Sequence, residues 1–155
     1  MTATVDRVGF SGTREGMTPA QRAAALECVM GPSGWDGGRV DLRQGLCVGA
    51  DSQVVYDVAG CPGVSVFGHP GCHAGSAYRA EIEVEQLCDK VHPVRHPLDR
   101  NRDIVDNTDR LVAAPGPNSR GTWHTIRYAM SEGKRVDIVH PSGAVETFVP
   151  PEVGT

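Results

Sequence analysis

Lysine is nearly absent from this chain. Of fifteen basic residues only Lys90 and Lys134 are lysines, and nineteen acidic residues leave a formal net charge of −4. A protein that grips nucleic acid by neutralising phosphates needs a cationic excess, so on charge alone DNA is not an expected partner. Arginine suits another use, because its planar donor fork matches the oxygens of a single phosphate group. Long apolar runs are also missing, and with them any expectation of a membrane span or membrane partner. The first seven residues lack the apolar stretch of a secretion signal, so the expected location is the cytoplasm. The five cysteines are odd in number and form no CxxC pair, so a disulfide framework is not expected. His69-Pro70-Gly71-Cys72-His73 comes nearest to a metal-ligand cluster, but its spacing fits no standard zinc pattern. We expect a plain loop there, no structural zinc, and no cofactor.

What is present points to one folded domain. At 155 residues, 39% hydrophobic and 22% charged, the chain can bury a single core and is not disordered by composition. The expected core spans about residues 7–141, followed by an edge strand and tail over 142–155. Val8–Ser11 is a short apolar run followed by the loop Gly12–Gly16. Thr18, Pro19 and Gln21 form a capping signature, which predicts a helix to about Met30 and then a loop through Gly38. A second strand is expected near Leu46–Val48, a short helix over Ser52–Ala59, and a third strand at Val64–Phe67. A helical segment over Ala77–Leu87, a short strand at Val91–Val94 and a helix over Asp99–Asn107 follow. Arg110–Ala114 is the clearest buried strand, Gly121–Ser131 a helix, Val136–Val139 the last core strand and Val145–Val149 an edge strand.

Alternation of strands and helices predicts an α/β fold, a Rossmann-like three-layer sandwich whose mainly parallel sheet has helices on both faces. Ligands of such sheets bind at the carboxyl ends of strands, near a topological switch point. That rule singles out the glycine-containing loops Gly12–Gly16, Gly49–Asp51, Gly68–Gly71 and Pro115–Thr122. In Gly12-Thr13-Arg14, free backbone N–H groups, a hydroxyl and a guanidinium could cradle an anion, or the segment could be a tight turn with a solvated arginine. In Gly49-Ala50-Asp51, Asp51 could accept hydrogen bonds from a ribose or base, or simply cap a helix. Arg100 and Arg102 are two apart and so lie on different helix faces. One can reach a pocket while the other faces solvent. Ser119-Arg120-Gly121-Thr122 at a helix start brings amide groups, a hydroxyl and the positive helix end together, a natural phosphate seat.

These blocks, in this order, resemble the SMF/DprA–LOG superfamily of Rossmann-like domains (SLOG). In the DprA branch a similar Arg-Asn-Arg block, here Arg100-Asn101-Arg102, precedes a Ser-Gly-Thr turn and a helix rich in Thr and Ala. Thr122, Thr125, Ile126 and Ala129 follow that pattern. The resemblance runs from about Val8 to Pro141. It implies nucleotide or nucleotide-derived phosphate ligands, with Gly12, Thr13, Arg14, Gly49, Asp51, Arg100, Arg102, Ser119, Gly121 and Thr122 as the ligand set, and it implies a homo-oligomer. It also shows departures. LOG enzymes carry Pro-Gly-Gly-x-Gly-Thr-x-x-Glu, and here the position of that glutamate is Thr125, which removes the carboxylate expected for glycosidic chemistry. Three functions stay open. The first is a sensor or sequestering module for a nucleotide. The second is a hydrolase of N-glycosidic or phosphoester bonds, with its carboxylate from Asp51, Asp99 or Asp103. The third is single-stranded DNA binding in the DprA manner.

Overall fold

The computed structural model describes residues 4–151. Strands β1 (Val5–Gly12), β2 (Arg39–Gln44), β3 (Val64–Gly68), β4 (Lys90–Val91), β5 (Arg110–Ala114), β6 (Arg135–Val139) and β7 (Val145–Phe148) form one sheet. Their order is β4-β3-β2-β1-β5-β6-β7. Every neighbouring pair is parallel except β6–β7, which is antiparallel. The helices are α1 (Pro19–Trp35), α2 (Ala50–Val58), α3 (Ile82–Gln86), α4 (Pro97–Asp106) and α5 (Arg120–Ser131). This is the expected α/β sandwich. The chain walks outward from β1 to β4, then returns to the other side of β1 to lay down β5. The switch point therefore lies between the carboxyl ends of β1 and β5.

The core has two halves. Val8 and Phe10 of β1, Val40 and Leu42 of β2, and Val112 of β5 pack with α1 and α2 on one face. On the other, Leu111, Ala113, Val136 and Ile138 pack with Val105 of α4 and with Ile126 and Ala129 of α5. Phe10 is fully buried, and truncating such a side chain to alanine costs about 3–5 kcal/mol. The second face is not evenly covered. On β2 and β3 the residues pointing that way, Asp41, Arg43, Ser65 and Phe67, are only partly buried.

The Thr18 capping box forms as its sequence predicts, with Thr18 Oγ1 accepting from the Gln21 N–H at 3.1 Å. Gln21 then does more than cap. Its Nε2 donates to the Pro115 and Val139 carbonyls at 2.9 and 2.8 Å, which pins the ends of β5 and β6 to α1. The helix does not stop at Met30. It kinks at Gly31 (φ 56°) and continues through Pro32 to Trp35. Pro32 cannot donate to the Cys28 carbonyl. Arg110 replaces that bond, donating to the Cys28 and Val29 carbonyls at 2.7 and 2.9 Å while pairing with Asp6.

Three expected segments are corrected. The second strand is Arg39–Gln44, and Leu46–Val48 lies in the turn after it, with Leu46 at φ 52°. Val40, Leu42 and Gln44 alternate inward, but the polar Asp41 and Arg43 between them hide the strand signal. The helix over Ala77–Leu87 shrinks to Ile82–Gln86, because Arg79 is buried and held in a loop by the Cys72 carbonyl and Glu85. The strand at Val91–Val94 ends at Val91, ahead of Pro93, which has no N–H to give. Most of the expected tail, residues 152–155, lies outside the described residues. Among those described, no helix is long and apolar enough to cross a membrane.

Candidate functional site

A cleft of about 480 Å³ opens at the switch point, within the range of small-ligand sites. The loop after β1 gives Gly12, Thr13 and Arg14, and the start of α5 gives Ser119, Gly121 and Thr122. The two stand side by side because β1 and β5 are neighbours, and the Thr13 N–H extends their ladder to the Ala114 carbonyl at 2.9 Å. Asp51 of α2 and Arg100 of α4 close the far wall.

The N-terminus of α5 carries no side-chain cap. Ser119 is the N-cap, but its side chain caps no helix N–H; its Oγ accepts from Gly116 N–H at 2.7 Å. The first turn contains no acidic residue. Its amide groups therefore lack a side-chain acceptor and point their partial positive charge outward. Beyond its own helix turn, Gly121 has no atom of the described residues within 4 Å of where a Cβ would stand, whereas Thr122 is buried. Thr125 faces away. It is fully buried and donates its hydroxyl to the Gly121 carbonyl at 3.0 Å, so the position of the LOG glutamate is a core position here.

The β1 loop is partly a packing device. A Cβ on Gly12 would sit 2.5 Å from Ala50 Cβ. The Thr13 carbonyl accepts from the Ala50 N–H at 2.9 Å, tying the loop to α2. Arg14 is exposed and lies over the Tyr78 ring at 4.4 Å. Tyr78 is itself 56% exposed and lines the cleft, so the mouth carries a flat aromatic platform with a guanidinium on it.

A buried acid lines the same cleft. Asp51 is not a helix cap: Gly49 is the N-cap of α2, and Asp51 reaches back to accept from the Gly45 N–H at 3.2 Å. It is 6% exposed, and its Oδ1 has no hydrogen-bond partner. Burial pushes its pKa up to about 6, against the pull of the Arg100 charge and of N–H groups at Cys47 and Gly45. Burial and the nearby Asp51 charge push the Cys47 thiol up to about 11, so it is not a nucleophile at neutral pH.

Two expected residues lie elsewhere. Gly49 does not line the cleft. It sits at φ 86° with its α-carbon against the Thr13 and Arg14 backbone, where a Cβ would stand 2.5 Å from the Thr13 carbonyl oxygen. Arg102 is exposed on another face of α4, over the Tyr128 ring at 5.6 Å, and Arg100 is the arginine that reaches the cleft. Residues outside the expected ligand set also line it, among them Gly45, Cys47, Cys72, Tyr78 and Asn101. Only Gly45, which directly follows β2, carried a readable signal once that strand is correctly placed. The His69–His73 patch divides: Cys72 lines the cleft, His69 turns away to Arg43, and His73 is exposed. Among the described residues, no group of three His, Cys, Asp or Glu side chains is arranged to hold a metal ion.

No protein-family model matches the chain, and no curated protein matches it in sequence. Solved structures do resemble it. The molybdenum cofactor binding protein of Rippkaea orientalis superposes with a TM-score of 0.68 at 17% identity, over 90% of this chain and 78% of that one. DNA processing protein A (DprA) of Streptococcus pneumoniae gives 0.66 at 18% identity, over 86% of this chain. The match spans 50% of that protein's length. DprA of Helicobacter pylori, whose structure concerns its single-stranded DNA binding mode, gives 0.59 at 15% identity, over 86% of this chain and 64% of that one. The chain has the Rossmann-like α/β fold that DprA carries, as the resemblance to the SMF/DprA–LOG superfamily implied.

Proposed function

We propose that the cleft binds a nucleotide or a similar phosphate-bearing heterocycle as a sensor or sequestering site. The observation that carries this is that an uncapped α5 N-terminus and the buried carboxyl group of Asp51 line one cleft. The phosphate sits on the amide groups of Arg120, Gly121 and Thr122, and Arg14 neutralises its charge. The heterocycle stacks toward Tyr78 and offers a ring N–H or amino group to the Asp51 carboxyl group, which lines the cleft and is suited to a charge-assisted hydrogen bond. The R. orientalis protein is a molybdenum cofactor binding protein, so a phosphate-bearing heterocycle of the pterin class belongs in the test. The expectation that DNA is no partner drew chiefly on the acidic net charge, which does not describe the local charge of the cleft. The fold is shared with a DNA-binding protein, so a single-stranded oligonucleotide is a further arm.

The test is calorimetric titration of the parent and of Arg14→Ala with nucleoside monophosphates, a pterin phosphate and an oligothymidylate. Losing the Arg14 charge-assisted bond should weaken the true ligand by about ten- to a hundred-fold. Absence of binding by every arm overturns the proposal. Tight, steeply salt-dependent binding of the oligonucleotide alone replaces it with the DNA reading.

One observation favours a second reading. A carboxyl group held near pH 6 inside a ligand cleft is suited to general acid–base work, so Asp51 would be the proton carrier of a hydrolase. Asp103 is committed to Arg95 through contacts of 2.7 and 2.6 Å, and neither it nor Asp99 lines the cleft. Release of free base or phosphate from a bound nucleotide, lost in Asp51→Asn, would establish this reading.

A further inference from the structure

We propose a second binding site, for a small oxyanion of the phosphate type, on the partly uncovered sheet face beyond Arg100. A separate pocket of about 310 Å³ lies there, lined by Arg43, His69, His92, Arg95, Arg100 and Asp103 among others. Arg43 is its centre. Its guanidinium lies over the Phe67 ring at 4.4 Å, and its Nη1 donates to His69 Nε2 at 3.0 Å and to His92 Nε2 at 3.2 Å. The two imidazoles stack with ring centroids 4.2 Å apart. Both accept from a cation, so both are neutral, and Arg43 is gripped by three neutral rings.

Arg43 and Arg100 meet carboxylate charge only through space, from Asp41 and Asp51 respectively. Asp103 is taken by Arg95. Among the described residues no carboxylate lies within 4.0 Å of Arg43 or of Arg100. Asp41 acts on Arg43 only through space, and Arg7 opposes it. Burial and the surrounding positive charge hold His69 down at about 3. Half-buried guanidinium groups without a carboxylate are costly alone and favourable with an anion. The Nε and Nη2 of Arg43 make no hydrogen bond among the described residues, so the fork edge that suits two phosphate oxygens is available. The rings behind it fix the guanidinium in place before the anion arrives.

This site stands whether or not the main cleft binds a nucleotide. The test follows the imidazole resonances of His69 and His92 by NMR while inorganic phosphate is added, against chloride at equal ionic strength. The parent and Gly121→Val, which blocks only the main cleft, should show the same saturable shifts. Arg43→Gln should weaken the response by about tenfold or more. Arg43→Lys, which keeps the charge and the stem over Phe67 but not the fork, should weaken it too. A nucleoside monophosphate in parallel separates the sources: weaker ring shifts assign the seat to free phosphate, and equal or stronger ones to a phosphomonoester. No saturable shift with phosphate, a response no different from chloride, or one unchanged in both Arg43 variants would overturn the site.

Discussion

Asp51 and Arg100 grip opposite ends of the same residue and never meet. Arg100 Nη1 donates to the Gly45 carbonyl at 2.7 Å, while Asp51 accepts from the Gly45 N–H at 3.2 Å. Gly45 leaves no room for a side chain between them: a Cβ there would stand 2.5 Å from Arg100 Nη1 and 2.9 Å from Asp51 Oδ2. The pair shapes the cleft wall without neutralising itself, which leaves Asp51 half-titrated near pH 6 and the Arg100 charge shared between two pockets.

This arrangement makes Asp51 a stability cost at neutral pH. Its pKa rises from 3.8 to about 6 on folding, a preference for the protonated form worth roughly 3 kcal/mol. A raised acid contributes stability that is fully present below the unfolded value and is lost as pH rises through the folded one. Asp51→Asn should therefore melt higher than the parent at about pH 7.5, and the gap should close below about pH 4. Thermal melts across that range check it; an Asn variant less stable at neutral pH would show the carboxylate to be a favourable contact.

His69 acts with the opposite sign. Its pKa falls from 6.5 to about 3 on folding, so its contribution is present above pH 6.5 and drains away as pH falls toward 3. His69→Gln keeps an acceptor for Arg43 and cannot take up a proton. The stability difference between parent and His69→Gln should shift in favour of the variant as the solution is acidified. A pH-independent difference would mean that His69 is not held neutral by the fold.

Glycines of the same motifs should separate by role. Gly49→Ala places a Cβ against backbone at positive φ and should destabilise the fold by about 2 kcal/mol or more. At Gly121 an added Cβ meets nothing within 4 Å beyond its own helix turn among the described residues, so Gly121→Val should fold like the parent and lose ligand affinity instead. Melting temperature and calorimetry on the two variants check this. Equal loss of stability in both would make Gly121 a turn residue only.

Arg102→Ala should leave ligand affinity unchanged, because Arg102 faces Tyr128 rather than the cleft. Calorimetry beside Arg14→Ala decides it; equal losses would place both arginines on the ligand.

Much of this was legible in the sequence. Strands such as Arg110–Ala114 announce themselves because both faces are covered and Leu111–Ala114 are all apolar, and Thr18 with Gln21 fixes the start of α1. The glycine loops sit at the switch point because parallel order puts them there. β2 was misplaced because its outward face is polar, and that polarity belongs to Arg43 and the second pocket. The choice of Arg100 over Arg102 depends on helix phase against the sheet, which no local pattern reports. Tyr78 and Cys72 reach the cleft through a loop held by the buried Arg79, a tertiary contact without a local signature.

The most direct measurement of the central claim is an amide NMR titration of the parent protein with the nucleoside monophosphate or pterin phosphate that binds best. The account predicts that the largest amide shifts fall at Arg120, Gly121 and Thr122, with a second group at Gly45 and Asp51, and that Gly121→Val abolishes both. Binding whose shifts lie elsewhere and persist in Gly121→Val would contradict it.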